Sequence, residues 1–338
     1  MKKFLCLGSA TRDIFVSLRE TRLIDNSQEI IAQKLMAFEF GAKEYAESFQ
    51  EEVGGSALNV AVGLTKLGQK GFLLSRVDRG DWGRWILKKA GNNHVKKNYV
   101  QKIGGTKQGE VSIIISDQKN KDHIILRCGD STDTFNWNKF VQKFKEKADW
   151  LVVASQKIDW QEKKEAILSF IKKRKIKLAF NPSSYQISRA QEELAGFWPS
   201  VNWLFLNKDE AIELVKKIEQ KELLETEELL KRILSWGVQG VALTDGQTGA
   251  WAANTKEGYF CPAMPVKDIV ETVGAGDAFL AGFLAVFCQE ENIKSALASG
   301  IANSAGVVKK VGAIQGLLTV KELKKVLGEI LKRVKKIY

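Results

Sequence analysis

The stretch ETVGAGDAFLAGF, Glu271 to Phe283, decides how the chain is read. It places one acid, Asp277, behind Val273-Gly274-Ala275-Gly276 and ahead of an apolar run from Ala278 to Phe287. That run is long enough for a buried helix. A helix opening after Gly274-Ala275-Gly276 presents N–H groups without intrahelical acceptors at the positive end of its dipole. Glycines let the loop turn tightly and let an anion approach the backbone. The stretch suits a phosphate or a developing negative charge. An aspartate in the first turn is held as its anion and makes a modest base, which suffices where catalysis is mostly positioning and charge stabilisation. On spacing alone, the same aspartate could instead cap the orphan amides of its own helix.

Outward from this point, short apolar runs alternate with segments of helical spacing. FLCLG (4–8), GFLLSRV (71–77), WLVVAS (150–155), KLAFN (177–181), WLFLN (203–207) and GVALTDG (240–246) read as buried strands. The spacing predicts helices over Ala57–Leu67, Trp82–Ala90, Gln161–Arg174, Lys208–Val215, Thr226–Trp236, Asp277–Cys288 and Val320–Val334. Strand alternating with helix predicts an α/β domain with a mostly parallel sheet covered on both faces. Ligands of such folds sit outside the carboxyl ends of the strands. Residues 14–53 and 99–127 break the rhythm with strand-like pieces such as EVSIIIS (110–116) and HIILR (123–127). They read as β-rich insertions forming a small lid beside the cleft. One large domain, 1–338, plus this lid is the expected organisation.

Composition narrows the chemistry. The 338 residues are 44% apolar and 27% charged, the profile of a globular protein, and no apolar run reaches the length of a membrane span. The opening MKKFLCLGSATRDIFV resembles a signal peptide, but Arg12 and Asp13 interrupt it early; a buried first strand and a cytoplasmic location are expected. Cys6, Cys128, Cys261 and Cys288 are scattered, which fits free thiols rather than disulfides or zinc. Two histidines, His94 and His123, leave little room for a histidine metal site or a Ser-His-Asp triad, so a carboxylate or lysine is the expected base. The net charge of +12 lies in clusters such as KKRKIK (172–177), without a nucleic-acid motif; it favours anionic small substrates rather than nucleic acid. GLTKLGQKG (63–71) lacks the ending of a P-loop, and Phe279 stands where a dinucleotide fingerprint needs glycine.

Glu271-Thr272-Val273-Gly274-Ala275-Gly276-Asp277-Ala278-Phe279 resembles the D-T-x-G-A-G-D-x-F motif of the PfkB (ribokinase-like) carbohydrate and nucleoside kinases. GGSALNVAVGLTKLG (54–68) resembles that family's N-terminal signature, and Gly80-Asp81-Trp82-Gly83 its G-D-x-x-G element. Asn207-Lys208-Asp209-Glu210 is similar to N-x-x-E, Thr244-Asp245-Gly246-Gln247-Thr248-Gly249 to T-x-G-x-x-G, and NSAGVVKKVGA (303–313) to the nucleotide-side helix. All stand in the family's order across nearly the whole chain. The resemblance implies a ribokinase-like three-layer α/β domain with a small β-rich lid. It also implies ATP- and Mg²⁺-dependent phosphorylation of a primary hydroxyl of a sugar or sugar-like acceptor.

The same resemblance implies the roles of individual residues. Asp277 is the base, with Gly274, Ala275 and Gly276 as the anion hole. Asp13, at the end of the first strand, receives sugar hydroxyls; an ionised carboxylate only accepts, which suits a diol. Gly54 and Gly55 let the acceptor lie against backbone, and Asn59 can both donate to and accept from a hydroxyl. Asn207 and Glu210 organise Mg²⁺ and phosphates, Glu210 through water. Thr244, Gly246, Gly249 and Thr272 border the ATP phosphates, and Asn303 lies near the adenine. Arg127 reaches an anionic group of acceptor or ATP. Taken singly, Asp13 could be an exposed loop acid, Asn59 a core amide, Asn207–Glu210 a helix start, and Asn303 and Arg127 surface residues.

The sequence also departs from the pattern. Glu271 stands where the family has Asp, in a stretch that holds K⁺ in some members; the longer side chain would shift or remove that site. Ser56 replaces the lysine of ribokinases, and Gln156 stands near a position where some sugar kinases hold a glutamate. A nucleoside acceptor would need a base pocket, for which Phe38, Phe40, Tyr45 and Phe49 are candidates; alternatively these pack the lid's own core. A catalytically idle sugar or nucleotide sensor is the rival of another class, and a homodimer paired through the lid is the assembly the resemblance allows.

Overall fold

The computed structural model describes residues 1–26, 34–103, 109–120, 122–129, 135–155, 160–190, 194 and 196–338. Gln156 and parts of both expected lid segments lie outside these residues. Within them, the six apolar runs form parallel neighbours in the order Lys70–Leu74, Lys3–Leu7, Trp150–Val153, Lys177–Phe180, Trp203–Asn207 and Gly240–Asp245. Gly249–Asn254, Gly258–Pro262 and Lys335–Lys336 extend the sheet antiparallel to nine strands.

The runs lack polar alternation because both faces are covered. In the first strand Phe4 and Cys6 pack into one core and Leu5 and Leu7 into the other. Helices Ser56–Lys66, Ala275–Glu290, Ile293–Val307 and Val320–Leu331 cover the first face. Trp137–Lys143, Trp160–Arg174, Lys208–Glu219 and Thr226–Ser235 cover the second. The fold is therefore a three-layer α/β structure, as expected.

Two neighbouring helices of the first layer approach closely. A Cβ on Gly282 would stand 2.6 Å from the Ser299 carbonyl oxygen, and one on Gly300 would stand 2.7 Å from the Phe279 ring. Glycine at these two positions is what allows Ala275–Glu290 to lie against Ile293–Val307. Burying Phe279 and Phe283 in that layer contributes about 2–3 kcal/mol each.

A second, four-stranded sheet runs in the order Asp122–Cys128, Val111–Asp117, Thr11–Leu18 and Ser48–Gly54. Thr11–Leu18 is parallel to Val111–Asp117, and the outer pairs are antiparallel. Asp13 therefore lies inside a strand of this sheet, opposite Ser112 and Glu52, rather than at the end of the first strand. Gln101–Lys102 does not join this sheet; it pairs with Arg76–Val77. Arg22–Asp25 and Lys34–Ala37 form a separate antiparallel pair. Phe38, Phe40, Tyr45 and Phe49 are exposed, so they pack no core in this sheet. All four cysteines are free, and three of them are buried. Among the described residues no helix is long and apolar enough to cross a membrane.

Candidate active site

The carboxyl ends of the parallel strands open onto a cavity of about 330 Å³. Ser9, Ser155, Asn181, Asn207 and Thr244 stand at or just beyond five of those ends and line it. Opposite them the second sheet contributes Asp13, Ser112, Ile114, His123, Ile125 and Arg127. A neighbouring cavity of about 650 Å³ is lined by Gly246, Gly249, the apolar run Ala263–Val266, Ile269, Ile301 and Arg333. Thr244, Thr272, Gly276 and Phe279 line both cavities, so the two meet at the glycine stretch.

There the helix Ala275–Glu290 opens with Gly274 at its N-cap, in the left-handed region at φ 82°. An alanine at 274 would also bring its Cβ to 2.3 Å from that of Ala313, so glycine is required twice over. The Ala275 N–H turns back to the Thr272 carbonyl at 3.2 Å, and the first helical bond runs from the Ala278 N–H to the Gly274 carbonyl. Of the expected anion-hole trio, Ala275 is thus spent locally. The amides aimed out of the first turn are those of Gly276 and Asp277. A Cβ on Gly276 would meet nothing within 4 Å, which leaves that side open to a ligand.

Asp277 does not cap its own helix. Its carboxylate reaches to the helix Ser56–Lys66, where Asn59 Nδ2 donates to Oδ2 at 2.8 Å and the Ser56 hydroxyl donates as well. The protein mass around it raises its pKa; these two hydrogen bonds and the charge of Arg127 oppose that rise. Asn59 is 4% exposed, and its Oδ1 has no partner. Its amide therefore holds the carboxylate with one end and leaves a buried acceptor at the other.

Asp13 is also 4% exposed and accepts from the Thr11 hydroxyl at 2.6 Å and from Ser112. Burial pushes its pKa up to about 6 against these bonds and the charge of Arg127. Gly54 faces it: a Cβ there would fall 1.7 Å from Asp13 Oδ2. Gly54 makes room for the carboxylate, whereas Gly55, at φ 90°, lines the cavity itself. Arg127 lies opposite Ser112 in the sheet and lines the cavity without a hydrogen bond or ion pair to any described residue. It is the cation nearest in effect to both carboxylates.

Asn207 and Glu210 form a reciprocal capping box at the start of Lys208–Glu219, with bonds of 2.7 and 2.9 Å. The helix-start reading holds, and both residues also line the first cavity. Burial of the Glu210 carboxyl pushes its pKa up to about 7. Gly246 and Gly249 bracket the hairpin turn after Gly240–Asp245 and line the second cavity.

Asn303 is not at either cavity. It is fully buried, donating to the Ala278 carbonyl at 2.7 Å and accepting from the Leu318 N–H at 2.9 Å. The adenine and surface readings both give way to a tie between helices. Phe38, Phe40, Tyr45 and Phe49 line neither cavity.

Glu271 turns toward its own loop and the second sheet. Oε1 accepts from the Thr272 N–H at 2.8 Å and the Val273 N–H at 3.3 Å, and Oε2 accepts from the Ser116 hydroxyl. Both oxygens are thus engaged by the protein, where the family pattern has the shorter Asp. Ser112, Ser116 and the apolar wall Ala263–Val266 carried no signal beyond ordinary composition, and only their spatial neighbours give them a place.

Residues 17–320 match the pfkB family carbohydrate kinase description. The ribokinase of Bacillus subtilis is 26% identical over 283 residues, covering 83% of this chain and 89% of that protein. A 5-dehydro-2-deoxygluconokinase of Clostridium botulinum is 23% identical over 293 residues, covering 84% and 86%. The solved structure of Arabidopsis thaliana ribokinase complexed with ribose and ATP superposes with a TM-score of 0.74 at 17% identity, covering 96% of this chain and 98% of the other. The ordered motifs, the three-layer fold and this match over most of the chain agree: the protein belongs to the pfkB family of carbohydrate kinases.

Proposed function

We propose that the protein transfers the γ-phosphoryl group of ATP to a primary hydroxyl of a monosaccharide or sugar acid bound in the first cavity. The observation that carries this is the place of Asp277, at the junction of two cavities and beside the open amides of a helix N-terminus. Asp13 accepts from acceptor hydroxyls, Asn59 Oδ1 accepts from another, and Arg127 offers a fork to a carboxylate or a transferring phosphoryl group. Asp277 steers the attacking hydroxyl and takes its proton as the new oxygen–phosphorus bond forms and the bond to the β-phosphate oxygen breaks. The Gly276 and Asp277 N–H groups stabilise charge on the phosphoryl oxygens.

Mg²⁺ fits this arrangement as an ion carried by the phosphates. Among the described residues no three His, Cys, Asp or Glu side chains cluster as a metal cage, and Mg²⁺ characteristically keeps several waters and few carboxylates. Glu210 is the carboxylate suited to it, through water. Bound there, Mg²⁺ would neutralise charge on the phosphates. No monovalent ion is part of the proposal. The four aromatic candidates for a nucleoside base pocket stand exposed and line neither cavity, so a sugar or sugar acid is the acceptor proposed.

The test is ADP release from Mg-ATP against a panel of free sugars, sugar acids, sugar phosphates and nucleosides. One sugar or sugar acid is expected to raise turnover well above background, and Asp277→Asn to lower kcat by about 10²–10⁴ with ATP binding kept. A variant that turned over normally would remove Asp277 as the base, and a nucleoside as best acceptor would overturn the substrate class.

A further inference from the structure

Successive residues of a strand face alternate sides, so Ser112, Ile114 and Ser116 share one face of Val111–Asp117. His123, Ile125 and Arg127 share the same face of the antiparallel neighbour. The register makes them three cross-strand pairs: Ser112 with Arg127, Ile114 with Ile125, Ser116 with His123. The first pair serves the acceptor end, where Ser112 donates to Asp13 and Arg127 faces Asp13 and Asp277. The isoleucine pair lines the cavity between. The third pair grips the glycine stretch. Ser116 donates to Glu271 Oε2, and His123 Nδ1 lies 3.2 Å from Thr272 Oγ1 and 3.6 Å from Glu271 Oε1. Glu271 is 7% exposed, and its Oε1 receives the amides of Thr272 and Val273. One carboxylate therefore joins a strand pair of the second sheet to the backbone that leads into the Asp277 helix.

We propose that Glu271 is a positioning residue that couples the seating of the second sheet, through Ser116 and His123, to the geometry of the anion-hole loop. The coupling rests on the kinase reading above and adds a means by which that site is assembled. An acceptor held at the Ser112–Arg127 end pulls in the same two strands whose other end orders Thr272 to Gly276. The loop thus reaches its working geometry only with the sheet in place. The length of Glu271 matters: an aspartate could hold the two amides or reach Ser116, but the span from loop to strand needs the extra methylene.

Hydrogen exchange on the full chain, without ligand, tests this independently of any acceptor. In Ser116→Ala the amides of Thr272 and Val273, which Glu271 Oε1 holds, are expected to exchange about tenfold faster than in the native protein, the scale of one lost hydrogen bond to a charged group. Ser116→Thr, which keeps the hydroxyl, should restore protection, and Glu271→Asp should behave as Ser116→Ala. If Ser116→Ala leaves Thr272 and Val273 as protected as before, the coupling is wrong. Kinetics with the acceptor from the panel form the second arm: Ser116→Ala should lower kcat about tenfold and leave the KM for ATP nearly unchanged. Normal kcat with a raised KM for ATP would overturn the proposal as well. If the panel yields no acceptor, the kinase reading fails while the exchange result still decides the coupling.

Discussion

At Asp277, burial and hydrogen bonding act in opposite directions. Desolvation favours the neutral acid, which cannot take a proton, while Asn59, Ser56 and Arg127 favour the anion. For the proposed transfer, this balance would keep a carboxylate basic enough to receive a proton late. Removing Asn59 Nδ2 takes away one stabiliser of the anion, so Asn59→Leu should move the acid limb of the kcat profile to higher pH. Ser56→Ala should move it the same way. The check is kcat measured at saturating acceptor and ATP from pH 5 to 9. An acid limb left in place by both substitutions would mean that another group controls it. The same scale shows what sequence could and could not tell. Asp277, Gly274 and Asn59 announce themselves through motif spacing. Ser112, Ser116 and Ile125 do not, because a serine or isoleucine in a strand has many ordinary reasons to be there, and only the register gives them a shared face.

Among elements, the parallel strands were readable because a strand buried on both faces must be a continuous apolar run, and few other structures need one of that length. The helices with an apolar stripe were readable for the same kind of reason, to within a few residues at each end. Ile293–Val307 was not. Its sequence IKSALASGIANSAGV is small and apolar on nearly every side, since it is packed against Ala275–Glu290 on one flank and sheet and terminal helix on others. No amphipathic period survives such enclosure. The second sheet was legible as β-rich but not in its pairing: nothing local indicates that Thr11–Leu18 runs parallel to a strand about a hundred residues later. That pairing sets Asp13 opposite Ser112, and the antiparallel neighbour Ser48–Gly54 on the other side brings it beside Gly54. Gly54→Ala tests it at this scale. The new methyl would displace the Asp13 carboxylate rather than backbone, so the fold should persist with a loss of about 1–2 kcal/mol, while the KM for the acceptor rises about tenfold or more and ATP binding is kept. Equilibrium unfolding and acceptor KM, measured together, give the answer; an unchanged KM would show that the Asp13 position does not depend on Gly54.

Over the whole molecule, the site is assembled at the expense of the ligand-free fold. Asp13 and Glu210 have pKa values raised by burial to about 6 and about 7, and that of Asp277 is raised as well. A carboxyl whose pKa is higher folded than unfolded stabilises the folded state only while protonated. Its contribution is full below the unfolded value, near 4, and is lost as pH rises through the folded value. For Asp13 the window is about pH 4 to 6, and the shift corresponds to on the order of 3 kcal/mol of stability forgone at neutral pH. For Glu210 the window extends to about pH 7. The ligand-free protein should therefore lose stability from these groups between about pH 4 and 7. Asp13→Asn should be more stable than the native chain at pH 8 and nearly equal to it at pH 4, while failing to bind acceptor. Urea unfolding of both proteins at several pH values between 4 and 8 measures the difference directly. A constant difference across that range would mean that Asp13 titrates alike folded and unfolded. A difference that grows with pH would identify the buried carboxylate as a cost to the ligand-free fold, one that the proposed acceptor hydroxyls would offset.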